Sequence, residues 1–223
     1  MSHLTIALDG PSGSGKSSVA KVISQRLGIH YLDTGAIYRT VGLYMLENGI
    51  DPKNEEAVVK ALPDVKLDLV FEGKIQKMYL DKREVTDRVH DDDVSIYASD
   101  VSKHGPVRAM LLDLQRDVAR KNEVIMDGRD IGTVILPNAL VKIFLTAPIE
   151  VRAERRYKQM LEKGFETTYE EVLSDMKSRD ENDRNRKIAP AVPADDAVIL
   201  DNGDMTMEET ISKIIEIIEE KNK

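Results

Sequence analysis

The segment Gly10-Pro11-Ser12-Gly13-Ser14-Gly15-Lys16-Ser17 constrains this chain more than any other. It fits the pattern G-x-x-x-x-G-K-[ST]. An apolar run of strand length, Leu4 to Asp9, precedes it, and a helical pattern with Val19, Val22, Ile23 and Leu27 on one face follows it. Gly10, Gly13 and Gly15 let backbone N–H groups turn inward around a phosphate, where a Cβ would obstruct. The loop ends on a helix N-terminus, which favours negative charge. Lys16 can reach the β- and γ-phosphates as a point charge, and the Ser17 hydroxyl can ligate Mg²⁺. Gly10, Pro11, Ser12, Gly13, Ser14, Gly15, Lys16, Ser17 and Ser18 therefore form the candidate triphosphate cradle. A glycine-rich turn with a chance lysine is the competing reading, and the flanking strand and helix disfavour it.

A length of 223 residues suits one α/β domain with room for insertions. The net charge of −8 argues against a general nucleic-acid or membrane binder. A polyanionic ligand would then need a local basic site, so the positions of the arginines matter. The absence of cysteine excludes disulfides, thiol catalysis and cysteine metal sites. His3, His30, His90 and His104 are scattered without metal-ligand spacing. The chain shows no apolar run of transmembrane length and no signal-peptide pattern, so a cytoplasmic location is expected.

Taken in order, His30 to Asp33 is a short second strand, and Ile37, Val41, Tyr44 and Met45 follow helical spacing after it. Thr34 can cap that helix and Gly49 with Pro52 ends it. Arg39, about one turn in, reads either as a phosphate clamp or as an exposed helix arginine. Asn54 caps a short helix over Glu55 to Leu62. Val65, Leu67, Leu69 and Phe71 alternate strictly, Glu72-Gly73-Lys74 turns, and Ile75 to Leu80 returns, with a third short piece around Val85. This predicts a small antiparallel insert.

Asp91-Asp92-Asp93 reads as the acidic start of a helix through Val94, Ala98 and Val101, in preference to a metal site. Gly105-Pro106 opens another helix, striped with Val107, Met110, Leu111, Leu114 and Val118. Val124 to Asp127 is an apolar strand ending in a carboxylate, which makes Asp127 a candidate Mg²⁺ neighbour. The polar loop Gly128-Arg129-Asp130-Ile131-Gly132-Thr133 follows, at the strand end where open α/β sheets bind ligands. Val141 to Leu145 is the next strand, and Pro148 opens a helix bearing Arg152, Arg155 and Arg156, which Gly164 ends. Thr168 to Glu171 is a capping box for a helix running into Arg179-Asp180-Glu181-Asn182-Asp183-Arg184-Asn185-Arg186-Lys187. Spacings of four and three put Arg179, Asp183 and Arg186 on one face. A salt-bridged helix end is one reading, and a lid gripping phosphates is the other. Val198 to Asp201 is the last strand, and a second capping box from Thr206 starts a helix whose Ile211, Ile214, Ile215 and Ile218 face the core.

The alternation of strands and helices predicts a parallel sheet with helices on both faces. No N-K-x-D guanine-specificity stretch is present, and motor ATPases usually carry larger cores. One triphosphate site with two arginine groups outside it points to phosphoryl transfer between two phosphorylated molecules. Another small-molecule kinase, or a nucleotide switch without productive transfer, are the alternatives. A switch has no use for the second arginine group.

At this point the chain resembles the nucleoside monophosphate kinases, and among them the bacterial-type cytidylate kinase family. The resemblance covers essentially the whole length. It rests on Asp9 to Ser17, Leu32 to Arg39, Met126 to Thr133, Val141 to Leu145 and Arg179 to Arg186, with the β insert near residues 65–90. It implies a P-loop three-layer α/β/α fold with a five-stranded parallel sheet, a β-containing acceptor-binding insert and a short helical lid. The implied division is a core of 1–35, 106–150 and 188–223, an insert of 36–105 and a lid of 151–187. It implies transfer of the ATP γ-phosphoryl to CMP or dCMP with Mg²⁺, in a monomer without nucleic-acid or membrane partners. UMP is the alternative acceptor.

The resemblance places Thr34, Arg39 and Arg129 near the acceptor phosphate, with Thr34 standing where serine is often expected. It places Ser99, Arg108 and Asp130 around the cytosine, and Arg179, Asp183 and Arg186 on sugar and phosphates. Lys16, Arg129, Arg152, Arg155, Arg156 and Arg179 are the expected catalytic charges, and Ser17 and Asp127 the expected metal ligands. Cytosine presents an N4 amino donor, which a carboxylate such as Asp130 accepts well, whereas uracil presents an oxygen there.

Overall fold

The apolar strand runs alternate between two cores. The computed structural model describes residues 3–222. In β1 (Thr5–Asp9), Ile6 and Leu8 point to one face of the sheet and Ala7 to the other. β6 (Val124–Gly128) does the same, with Ile125 on the first face and Val124 and Met126 on the second. Strands buried on both faces read as continuous apolar runs, which is the signature of a parallel sheet. The first face is covered by α1 (Lys16–Leu27) and α8 (Met207–Lys221), through Val19, Ile23, Ile211 and Ile214. The second is covered by α2 (Thr34–Glu47) and α5 (Gly105–Lys121), through Ile37, Val41, Val107 and Leu111. On α8, Ile215 packs half-buried against this core as expected, and Ile217 is buried in it as well.

β2 (His30–Asp33), β7 (Val141–Thr146) and β8 (Val198–Asp201) complete the sheet in the order β2-β6-β1-β7-β8, with all pairs parallel. The five-stranded parallel sheet expected from the sequence is present. Asp9 and Gly128 are register partners at the carboxyl ends of β1 and β6. The glycine-rich loop and the Arg129–Asp130 loop therefore leave the sheet side by side.

The insert is α3 (Glu55–Ala61) followed by an antiparallel sheet of β3 (Leu67–Glu72), β4 (Ile75–Leu80) and β5 (Arg83–Glu84). Asn54 caps α3 as expected, accepting from the Ala57 N–H at 3.1 Å. α4 (Asp92–Val101) starts in the aspartate run, where Arg88 pairs with Asp91 and Asp93. Met78, Leu80, Val94 and Val101 join the core of the second sheet face. α6 (Ile149–Glu162) and α7 (Tyr169–Arg184) instead pack on each other around a separate cluster of Ala153, Val172 and Met176. Both capping boxes form, Thr168 with Glu171 and Thr206 with Glu209.

Three local expectations change. Asp33, not Thr34, caps α2: its carboxylate accepts from the Ala36 N–H at 3.0 Å, and Thr34 is already helical. α7 stops at Arg184, so Arg186 lies beyond the helix that was expected to display it. The polar loop after β6 winds into one π-helical turn, Ile131–Ile135.

Candidate active site

The glycine-rich loop runs between β1 and the first turn of α1. A Cβ at Gly10, which has φ +147°, would lie 2.0 Å from the Leu145 carbonyl oxygen, so only glycine lets the loop leave β1 against β7. Lys16 is buried, and its Nζ donates to the Pro11 carbonyl at 2.7 Å. Burial first, and the nearby Arg129 second, lower its pKa from the ordinary lysine value. The loop is braced from behind. Asn202, just past β8, donates to the Ser14 carbonyl at 3.1 Å, and Arg155 donates to the Asn202 side chain at 3.1 Å and its carbonyl at 2.8 Å. Arg152 donates to the Ser12 carbonyl at 3.0 Å and pairs with Asp180 at 2.6 Å.

The end of β6 gathers hydroxyl and carboxylate oxygens. Ser17 Oγ donates to Asp127 Oδ2 at 2.6 Å, and the Tyr31 hydroxyl donates to Asp127 Oδ1 at 3.0 Å. Burial and the charge on Asp33 raise the Asp127 pKa above the usual carboxylate range. Such an oxygen-only pair, with Asp127 buried and Ser17 exposed, suits a hard cation, whose charge would offset the desolvation of the carboxylate. Thr34 Oγ1 donates to the Asp127 carbonyl at 2.7 Å. Arg39 pairs with Asp33 at 2.6 Å, and Gln76 of β4 exchanges hydrogen bonds of 2.7 and 3.2 Å with the Asp33 backbone. The insert thus grips the strand end that carries Arg39's partner.

Beyond Gly128, the guanidinium of Arg108 and the carboxylate of Asp130 form a buried ion pair, and Arg108 lies over the Tyr38 ring at 5.4 Å. Ser99 is half-buried on α4, and no hydrogen bond joins it to that pair; Arg108 reaches the Ser102 carbonyl at 3.3 Å instead. Arg129 pairs with Asp183 at 3.0 Å, and Arg186 stands 4.0 Å from the same carboxylate. Burial lowers the pKa of both Arg179 and Arg186. Arg39 Nε and Arg186 Nε and Nη2 are buried donors without a protein partner. Arg156 pairs with Asp92 of α4 at 3.4 Å and lies near enough to Arg179 to help lower its pKa.

Arg39, Arg108, Arg129, Asp130, Arg152, Asp183 and Arg186 therefore all sit in ion pairs around the two loops. Tyr31, Gln76, Asn202 and Asp33 join them although the sequence reading did not select them. Asp33 was legible as an Asp before a helix, which is a common cap. The other three act through partners far away in sequence.

The cytidylate kinase family model matches residues 6–220. A cytidylate kinase of Caldicellulosiruptor bescii is 44% identical over 217 residues, covering 97% of this chain and 96% of the relative. One of Thermosipho melanesiensis is 44% identical over 218 residues, covering 98% of each. A crystal structure of an uncharacterized protein from Eubacterium ventriosum matches with a TM-score of 0.52 at 14% identity, over 97% of this chain and 99% of that one, which is a likeness of fold. Because the family match runs from β1 into α8, and so takes in the core, the antiparallel insert and the arginine-bearing helices alike, the chain belongs to the cytidylate kinase family.

Proposed function

We propose that this chain transfers the γ-phosphoryl group of ATP to CMP and dCMP, giving ADP and CDP or dCDP. The observation that carries this reading is the register of Asp9 with Gly128, which sets a phosphate-cradling loop beside an arginine- and aspartate-bearing loop on adjacent strands. Two anionic substrates can meet there end to end. The acceptor phosphate is already an anion, so its oxygen can attack the γ-phosphorus as the bond to the β–γ bridging oxygen breaks, without a strong general base. Catalysis is then positioning and charge neutralisation.

We assign Lys16 and the loop amides to the donor phosphates, and Arg39, Arg129 and Arg186 to the acceptor side. The unpartnered buried donors of Arg39 and Arg186 support that assignment, since anionic oxygens would satisfy them. Ser17 and Asp127 would hold Mg²⁺, which supplies charge neutralisation at the donor phosphates when bound. Asp130, oriented by Arg108, would accept from the cytosine amino group. Arg152 and Arg155, held to the loop and to Asn202, frame the donor side; Arg179 and Asp183 lie on α7, whose helix pair would act as the lid. The insert, residues 36–105, would carry the acceptor, and the lid, residues 151–187, would close over both. We further propose that the protein acts as a monomer on these small molecules in the cytoplasm; no helix among the described residues is long and apolar enough to cross a membrane.

The test is ADP release from ATP and Mg²⁺ by the purified protein, offered CMP, dCMP, UMP, AMP, dTMP or no acceptor. Strong release with CMP and dCMP, weak release with UMP and almost none without acceptor is the expected pattern. Release independent of acceptor would make the protein a simple ATPase. Preference for another nucleotide would keep the kinase and overturn the assignment of Asp130.

A further inference from the structure

The loop that carries Arg129 and Asp130 continues into the π-helical turn Ile131–Ile135. Such turns are rare, with poor intrinsic stability, so their persistence calls for outside support. Two side chains supply it. At the start of the turn, both oxygens of Asp9 accept backbone N–H groups, Oδ1 from Ile131 at 2.8 Å and Oδ2 from Gly132 at 2.7 Å. At its end, Arg116 donates from Nε to the Ile135 carbonyl at 3.0 Å and from Nη2 to the Val134 carbonyl at 2.9 Å. Both grips are two-pronged, which fixes orientation as well as position. Inside the turn, the Val134 and Ile135 N–H groups donate to the Asp130 carbonyl at 3.0 and 3.2 Å.

The two gripping residues have telling addresses. Asp9 is the last residue of β1, so its backbone opens the phosphate loop while its side chain holds the neighbouring loop. Arg116 lies about two turns beyond Arg108 on α5, so one helix supplies both the partner of Asp130 and the support of the turn behind it. We infer that Asp9 and Arg116 are positioning residues: together they hold the Arg129–Asp130 loop in fixed alignment with the phosphate loop, so that acceptor recognition and donor geometry share one frame. This rests on the functional reading above for what the loops bind, but not for how they are held.

Stability alone is a poor account of Asp9. Burial raises its carboxyl to about 6 in spite of the two amide donors. Lys16, which opposes that rise, and Asp130, which adds to it, are the charged groups that bear on it. On this inference, the desolvated carboxylate is kept for the geometry that its two amide contacts specify.

The experiment compares Asp9→Asn, Arg116→Ala and Arg116→Lys in the full chain. Asparagine keeps one acceptor but turns an amide donor toward the second N–H. Three quantities are measured: kcat and KM with CMP and UMP, ATP affinity by titration without acceptor, and amide hydrogen exchange in a peptide spanning 129–136. Asp9→Asn and Arg116→Ala should speed exchange in that peptide, raise the CMP KM by about tenfold and narrow the CMP-over-UMP preference. ATP affinity should stay within about threefold, and Arg116→Lys should recover part of the loss. Unchanged exchange, or ATP binding that weakens in step with CMP, would overturn the inference. Should Asp9→Asn not fold, Arg116→Ala, a half-buried side chain on α5, carries the same test. Should the wild type phosphorylate no nucleotide, the functional reading fails, and the exchange data still judge the frame.

Discussion

Lys16 shows how burial and chemistry are joined in single residues here. Its ammonium is buried among carbonyl and hydroxyl oxygens of its own loop, with its pKa lowered by desolvation and by Arg129. A triphosphate would supply the missing negative charge. Lys16→Ala should lower kcat by about two orders of magnitude or more, as expected when a preorganised charge leaves a phosphoryl-transfer site. Wild-type turnover in that variant would remove the phosphate loop from the mechanism. Asp130→Ala should shrink the CMP-over-UMP ratio of kcat/KM by about ten- to a hundred-fold, the scale of one buried polar mismatch. An unchanged ratio would move base selection elsewhere. Asp9 makes a pH prediction of its own. Its carboxyl titrates at about 6 in the fold, against 3.8 ordinarily, so the native state holds the proton more tightly. Its contribution to stability is full below 3.8 and is lost as pH rises through about 6. Asp9→Asn cannot titrate. The stability of that variant relative to wild type should therefore rise across this window. Urea midpoints at the two ends check it, and a constant difference would take Asp9 out of the pH profile.

Among the elements, α2 and α4 meet backbone to backbone at Gly42. Gly42 lies within α2, where an exposed Gly→Ala change would add about 1 kcal/mol of helix stability. A Cβ there would lie 2.8 Å from the Ala98 backbone nitrogen and 3.2 Å from its Cα, and neither is a flexible side chain. Gly42→Ala should therefore destabilise the protein by about 1–3 kcal/mol through forced separation of the helices. A urea midpoint equal to or above wild type would mean that α4 moves aside freely. The capping boxes of α7 and α8 were readable in advance because every partner lies within four residues. Gly42 was not, since its need for close approach is set by a helix some fifty residues away.

Over the whole molecule, charge is distributed against its average. The chain carries a net charge of −8, yet Arg39, Arg108, Arg129, Arg152 and Arg186 converge around two loops at the carboxyl ends of interior strands. Anionic substrates would be drawn to that end of the sheet and repelled elsewhere. Raising salt from about 0.02 to about 0.3 M should lower kcat/KM for both nucleotides several-fold, while the urea midpoint moves little. A salt-independent kcat/KM would mean that the internal carboxylates Asp33, Asp130, Asp180 and Asp183 already cancel the field.

What the sequence determined by itself was everything that depends on near neighbours and on pattern. The continuous apolar runs of β1 and β6 required a buried parallel sheet, and the glycine-rich loop between strand and helix required a phosphate cradle. The arginine-bearing motifs marked the segments expected around a second anion. The tertiary structure decided how those segments meet. The pairing of β1 with β6 brought Asp9 to the amides of Ile131 and Gly132, and α5 brought Arg116 to the carbonyls behind them. Tyr31 on Asp127, Gln76 on Asp33 and Asn202 on Ser14 arose in the same way. The physical reason is that caps, turns and periodicity are settled by contacts within a few residues. A side chain whose hydrogen-bond partner lies 18 or more residues away acquires its role only when the sheet order has been chosen.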